Sequence, residues 1–135
     1  MIDDRAVEAA FANAIRAVTD LQLFDVTTNV PIGQPPPYLY MQHVPVSQTD
    51  AAVSGGAIVA LGFVTVTVLA EPNAVAIDAA RTALRTVAVA FPYGRRLTLS
   101  GTPKRATVTQ TPVQTESRRD GPFWRVTNRI DYVVM

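Results

Sequence analysis

The sequence is poor in the residues on which most metal and redox chemistry depends. It has no cysteine and one histidine, His43, among 135 residues. The absence of cysteine excludes disulfides and thiolate metal sites, and a single histidine without further ligands at metal-binding spacing predicts no metal site. The net charge of +1 provides no field that would by itself attract nucleic acid or an anionic membrane.

Long hydrophobic runs and targeting signals are absent as well. The most apolar stretch, residues 57–70, is interrupted by Gly62, Thr65 and Thr67 and is too short to cross a bilayer as a helix. Residues 1–5 include two aspartates and do not have the pattern of a signal peptide. We therefore expect no membrane partner and synthesis in the cytoplasm.

No catalytic motif is recognisable. No serine lies in a nucleophile elbow, and Gly55-Gly56 lacks the lysine and the spacing of a phosphate loop. His43 follows a proline-rich segment, where a structural or exposed histidine is the ordinary interpretation. The sequence predicts no enzyme, no cofactor and no metal, which leaves an interaction or assembly protein as the class.

The apolar content of 48% is enough for one folded domain over residues 1–135. Apolar residues at helical spacing predict an amphipathic helix that Asp3 or Asp4 caps and that continues to about Asp20. A second helix is predicted from Glu71-Pro72, with Pro72 near the first helical position, to the sequence FPYG at 91–94.

Strands are predicted at 38–44, at 57–70, twice within 96–111, and at the end of the chain. Residues 48–56 are predicted to form a loop, and residues 112–122 a polar connection whose tip projects. At about 3.3 Å per residue, the stretch 57–70 would extend ~46 Å, so Gly62 should bend or bulge it unless one end projects. The element order predicts an α+β two-layer sandwich, with two helices on one face of a mostly antiparallel sheet and a projecting hairpin or loop.

The final strand alternates strictly between apolar and polar residues. One predicted face is apolar and packs beneath the helices: Trp124, Val126, Ile130, Tyr132 and Val134. The other face is polar: Arg125, Thr127, Arg129 and Asp131. This second face is either the solvent side of an antiparallel sheet or a boundary with another molecule.

Basic residues occur as pairs near the predicted strand ends. Together with two arginines of the last strand they are the candidate interface residues for a neighbouring subunit or partner: Arg95, Arg96, Lys104, Arg105, Arg118, Arg119, Arg125 and Arg129. One interpretation is ordinary solvated charge. The other is that the pairs cluster at one end of the fold and contact an acidic partner.

Four segments, in order, resemble the tail terminator (tail completion) proteins of long-tailed bacteriophages. After the amphipathic opening helix comes the proline-rich entry NVPIGQPPPYLYMQHVP (29–45). GAIVALGFVTVTVLAEP (56–72) then leads into a helix that ends in AVAFPYG (88–94). The chain closes on GPFWRVTNRIDYVV (121–134), a strand with an early tryptophan.

The resemblance implies a structural virion protein of the tail–neck region, without turnover. Such a protein forms a ring, typically a hexamer, that caps the tail tube, stops tube polymerisation and offers the surface to which the head attaches. Its partners would be its own copies, the major tail tube protein and the head–tail connector proteins. DNA would pass through the lumen without sequence-specific binding.

Two alternatives stay open at this point. A head-completion or stopper protein of the neck uses a similarly small fold. A small-molecule-binding α+β domain would instead show a concave pocket with convergent polar groups.

Overall fold

The computed structural model describes residues 2–25, 29–48 and 60–135. Within these residues, two helices and seven strands follow one another: α1 (Asp4–Arg16), β1 (Leu23–Phe24), β2 (Tyr38–Gln48), β3 (Ala60–Ala70), α2 (Ala74–Val89), β4 (Arg96–Thr98), β5 (Arg105–Val108), β6 (Val113–Asp120) and β7 (Phe123–Val134). Among these residues no helix is long and apolar enough to cross a membrane.

The helices begin where short polar side chains accept the first free backbone N–H groups. Asp3 caps α1 by accepting from the Arg5 N–H, as predicted. The helix ends at Arg16 rather than near Asp20, because the chain turns at Ala17. Helix α2 begins at Ala74, two residues after the predicted first position Pro72, and Asn73 caps it by accepting from the Ala76 N–H.

The strands form one curled sheet in the order β1-β2-β3-β7-β5-β4, and β6 also pairs with β7. All pairs are antiparallel except β1 with β2. The α+β class is confirmed. The sheet curls into a half-barrel, however, and the predicted two-layer sandwich is not confirmed.

Two segments differ from their predicted structure. Residues 113–120, predicted within a projecting connection, form strand β6 and reach β7 through the two-residue loop Gly121-Pro122. Gly121 has φ +58°, the left-handed conformation that the first position of a tight hairpin loop requires. The predicted loop at 48–56 lies outside the described residues, apart from Gln48, which closes β2.

The bulge predicted at Gly62 is not in β3, which pairs with β7 without a register shift, but in the neighbouring strand β2. Pro45 pairs with Gly62 and Ser47 with Leu61, so Val46 is the extra residue of a bulge in β2. Gly62 itself is held in close contact, because a Cβ there would lie 2.6 Å from the Val44 carbonyl oxygen and 2.8 Å from the Tyr132 hydroxyl.

The core lies between the helices and the inner face of the sheet. Phe11 of α1 stacks on Phe91 at the end of α2, with ring centroids 5.6 Å apart, and contacts the Tyr132 ring at 5.5 Å. Val126, Ile130, Tyr132 and Val134 are buried here as predicted, and Trp124 packs against this core while half-buried. The apolar face of the last strand is thus confirmed.

Candidate functional site

The structure separates the basic pairs instead of gathering them at one end. Both β5 and β6 pair with the same edge of β7, but at different heights: Ala106 lies opposite Val134, and Arg119 opposite Trp124. Positions 124 and 134 are ten residues apart, roughly 33 Å along an extended strand at about 3.3 Å per residue. The interpretation in which all the pairs cluster at one end of the fold is therefore wrong.

The group on β6 and β7 is paired largely within the chain. Glu116 lies 3.0 Å from Arg118 Nε and 2.6 Å from Arg125 Nε, and Arg125 also reaches Asp120 at 3.4 Å. The hydrogen bond from Arg118 lowers the pKa of the Glu116 carboxyl, with the charge of Arg125 adding to the effect. The Arg125 Nε contact is ionic rather than an aligned hydrogen bond.

The remaining arginines of this group also have intramolecular partners. Arg119 donates to the Gly121 carbonyl oxygen at 3.1 Å. Arg129 donates from Nε and Nη2 to Asp131 at 3.0 and 2.9 Å, and its guanidinium lies 3.8 Å from the centre of the Phe63 ring. The charged side chains of β6 and of the polar face of β7 therefore largely neutralise one another. The sequence alone did not indicate this pairing.

That polar face is less exposed than predicted. Thr127 is buried and its hydroxyl lies 2.9 Å from that of Thr67 on β3. Beside this pair, Phe24, Tyr38 and Leu69 form a small second apolar cluster, and a cleft of about 370 Å³ opens next to it. Burial, and then the charge of Asp120, raises the pKa of the Tyr38 hydroxyl. This second cluster was not predicted from the sequence, and the aromatic residue Tyr38 was the sequence feature that pointed to it.

The basic group on β4 and β5 differs in having free cations. Arg95 donates to the Ala90 carbonyl oxygen and lies 5.0 Å from the centre of the Phe91 ring. Arg96 and Arg105 line an open cleft of about 490 Å³ with Pro103 and Met135. Within residues 2–25, 29–48 and 60–135, the charged ends of Arg96, Lys104 and Arg105 have no hydrogen-bond or ion-pair partner.

His43 is structural and connects three elements. Its side chain is fully buried, and its Nε2 lies 2.5 Å from the Tyr132 hydroxyl while Nδ1 lies 3.3 Å from Glu8 Oε1. Burial, with the charges of Asp4 and Glu8, raises the pKa of Tyr132. The described part of the chain contains no group of three or more metal-ligating side chains.

The whole-chain comparisons agree with this fold. The family model described as phage tail terminator protein matches residues 4–132, nearly the entire chain. The chain belongs to the phage tail terminator family. This family consists of structural virion proteins, so the chain has a structural role in a phage-type tail. The family match favours the terminator over the neck-protein alternatives.

Solved structures show the same fold at low sequence identity. One, of a protein whose name states no function, superposes with a TM-score of 0.73 and 17% identity over 100% of this chain and 97% of the other. A chain from the virion of a native gene transfer agent particle has a TM-score of 0.64 and 15% identity over 97% and 96%. No curated protein matches the sequence.

Proposed function

We propose that this tail terminator forms a ring, with six subunits as the expected number, on the end of the completed tail tube. The ring stops tube polymerisation and presents the surface to which the head connector binds. DNA passes through its lumen without sequence-specific contacts. The observation that carries the proposal is the family match over residues 4–132.

The geometry supports a passive, assembling protein. In the described part of the chain, β1 and β4 end the main strand order and are short, with two and three residues, whereas β6 pairs only with β7 and leaves an edge of eight residues. Short edge strands discourage unlimited edge-to-edge polymerisation. A ring requires two different surfaces that close head to tail.

The basic residues divide between two proposed contacts. Arg96, Lys104 and Arg105 have no side-chain partner among the described residues and are proposed to pair with carboxylates of a neighbouring subunit. Arg118 and Arg119 are exposed on β6 and are proposed to contact the tail tube or the connector. Arg125 and Arg129 remain interface candidates, although both have partners within the chain.

The experiment is genetic complementation in the phage or prophage that encodes the chain. Removal of the gene should produce overlong tails without heads, and the wild-type gene supplied in trans should restore both normal length and infectivity. Tails of normal length that lack heads would instead indicate a neck protein that acts after tube completion.

A further inference from the structure

Two complementary surfaces lie at opposite ends of α2. The helix has 16 residues, about 24 Å at 1.5 Å per residue. An apolar pocket of about 280 Å³, which we call the α2 pocket, lies along the N-terminal half of the helix, and after its C-terminal end the exposed Tyr93 precedes Arg96 of β4, whose charged end has no partner among the described residues. We infer that in the proposed ring the C-terminal end of α2 in one subunit docks into the α2 pocket of the next.

The α2 pocket is lined almost entirely by small apolar groups. Its walls include Leu21, Pro37, Ala70, Ala76 and Ala83, and Glu71 stands at its rim. The Glu71 carboxylate is exposed and has no ion-pair or hydrogen-bond partner among the described residues. A nearly non-polar pocket of this size, with one charged group, fits a single large side chain better than a polar metabolite, whose recognition needs several convergent polar groups.

The opposite end of α2 carries the matching groups. Tyr93 is 74% exposed in the turn that follows the helix. This turn is fixed on β5 by 2.8 Å hydrogen bonds from the Gly94 N–H to the Val108 carbonyl and from the Val108 N–H to the Arg95 carbonyl. Arg96, exposed and unpaired among the described residues, lies three positions after Tyr93.

The two ends carry opposite charges, and one has an exposed aromatic ring where the other has an apolar pocket. Tyrosine and arginine are among the residue types most enriched at positions that dominate interface affinity, and Tyr93 lies in a turn whose backbone is fixed on β5. Insertion of Tyr93 into the α2 pocket would bury its ring, and Arg96 would reach the unpaired Glu71 carboxylate. Because the two surfaces are different and lie at opposite ends of one helix, the contact is head to tail, as a closed ring requires.

The inference rests on the proposed ring. Charge-reversal variants test the α2 contact separately from the ring itself. Arg96→Glu and Glu71→Arg should each abolish ring formation, measured by native mass spectrometry and negative-stain electron microscopy of the purified full chain. Tyr93→Ala should raise the concentration for half-assembly by about tenfold or more. Circular dichroism should show each variant folded, since all three positions are exposed.

Rescue provides the decisive comparison. Arg96→Glu/Glu71→Arg in one chain should form rings again, and so should an equimolar mixture of the two single variants, which can close only by alternating. Arg85→Glu is the matched control, because Arg85 is an exposed cation in the middle of α2, and its rings should be unaffected.

The possible failures are distinguishable. If wild-type, Arg96→Glu and Glu71→Arg all form identical rings, the α2 contact is wrong and the proposed function is unaffected. If both single variants are monomeric but neither rescue forms rings, the pairing of Arg96 with Glu71 is wrong. If the wild-type chain stays monomeric both alone and on tail tubes, the ring itself is contradicted, and this contact with it.

Discussion

His43 Nε2 and the Tyr132 hydroxyl oxygen lie 2.5 Å apart inside the core, between β2 and β7. Glu8 of α1 contacts the other ring nitrogen of His43 at 3.3 Å. One histidine thus joins the first helix, the second strand and the last strand. A buried polar group of this kind stabilises the fold only while its partners are present.

The first prediction concerns this contact at high pH. Tyr132→Phe should lower the free energy of unfolding at pH 8 by about 1–3 kcal/mol, because the buried His43 loses its partner. Burial raises the pKa of the folded Tyr132, whereas the unfolded tyrosine loses its proton from about pH 10. The contribution of Tyr132 to the free energy of unfolding is therefore fully present below pH ~10 and declines as the pH rises above that value.

Urea unfolding of wild type and Tyr132→Phe at pH 8 and pH 11 measures this effect. The difference between the two proteins should shrink at pH 11, by at most about 1.4 kcal/mol for one pH unit above the unfolded pKa. A difference that stays constant would show that the Tyr132 pKa is the same in the folded and unfolded chain.

Gly62→Ala should destabilise the fold by about 2–3 kcal/mol, as overpacking of a tight site does. The added Cβ would lie 2.6 Å from the Val44 carbonyl oxygen and 3.0 Å from the Pro45 Cα, both backbone atoms. Denaturant midpoints provide the measurement, with the neighbouring half-exposed Leu61→Ala as a control for general weakening of β3. An unchanged midpoint for Gly62→Ala would contradict the close approach of β2 and β3 at this point.

Trp124→Ala should cost about 2–3 kcal/mol, less than the ~3–5 kcal/mol of a fully buried aromatic residue. The side chain is half-buried, and its Nε1 donates to the Ser117 hydroxyl at 3.1 Å. Trp124→Phe and Ser117→Ala should each cost about 1 kcal/mol, because each removes the same hydrogen bond. If Trp124→Ala unfolds at the wild-type midpoint, the faces of β7 have been assigned the wrong way round.

Arg118→Glu/Arg119→Glu should fold and melt close to wild type, because both side chains are exposed and surface ion pairs such as that with Glu116 stabilise little. The variant should still form rings but should fail to cap tubes, giving overlong tails in complementation. Arg125→Glu is the contrasting variant, since it places a third carboxylate beside Glu116 and Asp120 and should lower the melting temperature. Infectious particles with tails of normal length from the double variant would show that Arg118 and Arg119 of β6 do not contact the tube.

The elements that the sequence predicted are those with a periodic apolar pattern. Helix α1, helix α2 and strand β7 each bury one regular face, and their positions were predicted to within a few residues. Strand β6 has the sequence VQTESRRD, without alternating apolar residues, and it is held by backbone pairing with β7. A polar strand of this kind cannot be distinguished from a loop by its pattern.

The contacts of the candidate site join residues that are far apart in the sequence, so they could not be predicted from it. His43 reaches Glu8 and Tyr132 across 35 and 89 positions, which no local motif records. The register of β6 shifts between Gln114 and Glu116, and the Glu116 carboxylate lies beside Arg125. Arg125 therefore has an ion-pair partner within the chain and is not a free cation. Only the folded chain shows that Arg96, Lys104 and Arg105 have no side-chain partner among residues 2–25, 29–48 and 60–135.

Tube polymerisation with and without the purified chain tests the central claim most directly. Tail tube protein from the same phage or prophage should form tubes whose growth stops when the chain is added, and electron microscopy should show a ring at one tube end. The proposed function predicts that blocked ends carry one ring each and do not grow on further addition of tube protein. Tubes that continue to lengthen in the presence of excess folded chain, with no ring at either end, would contradict it.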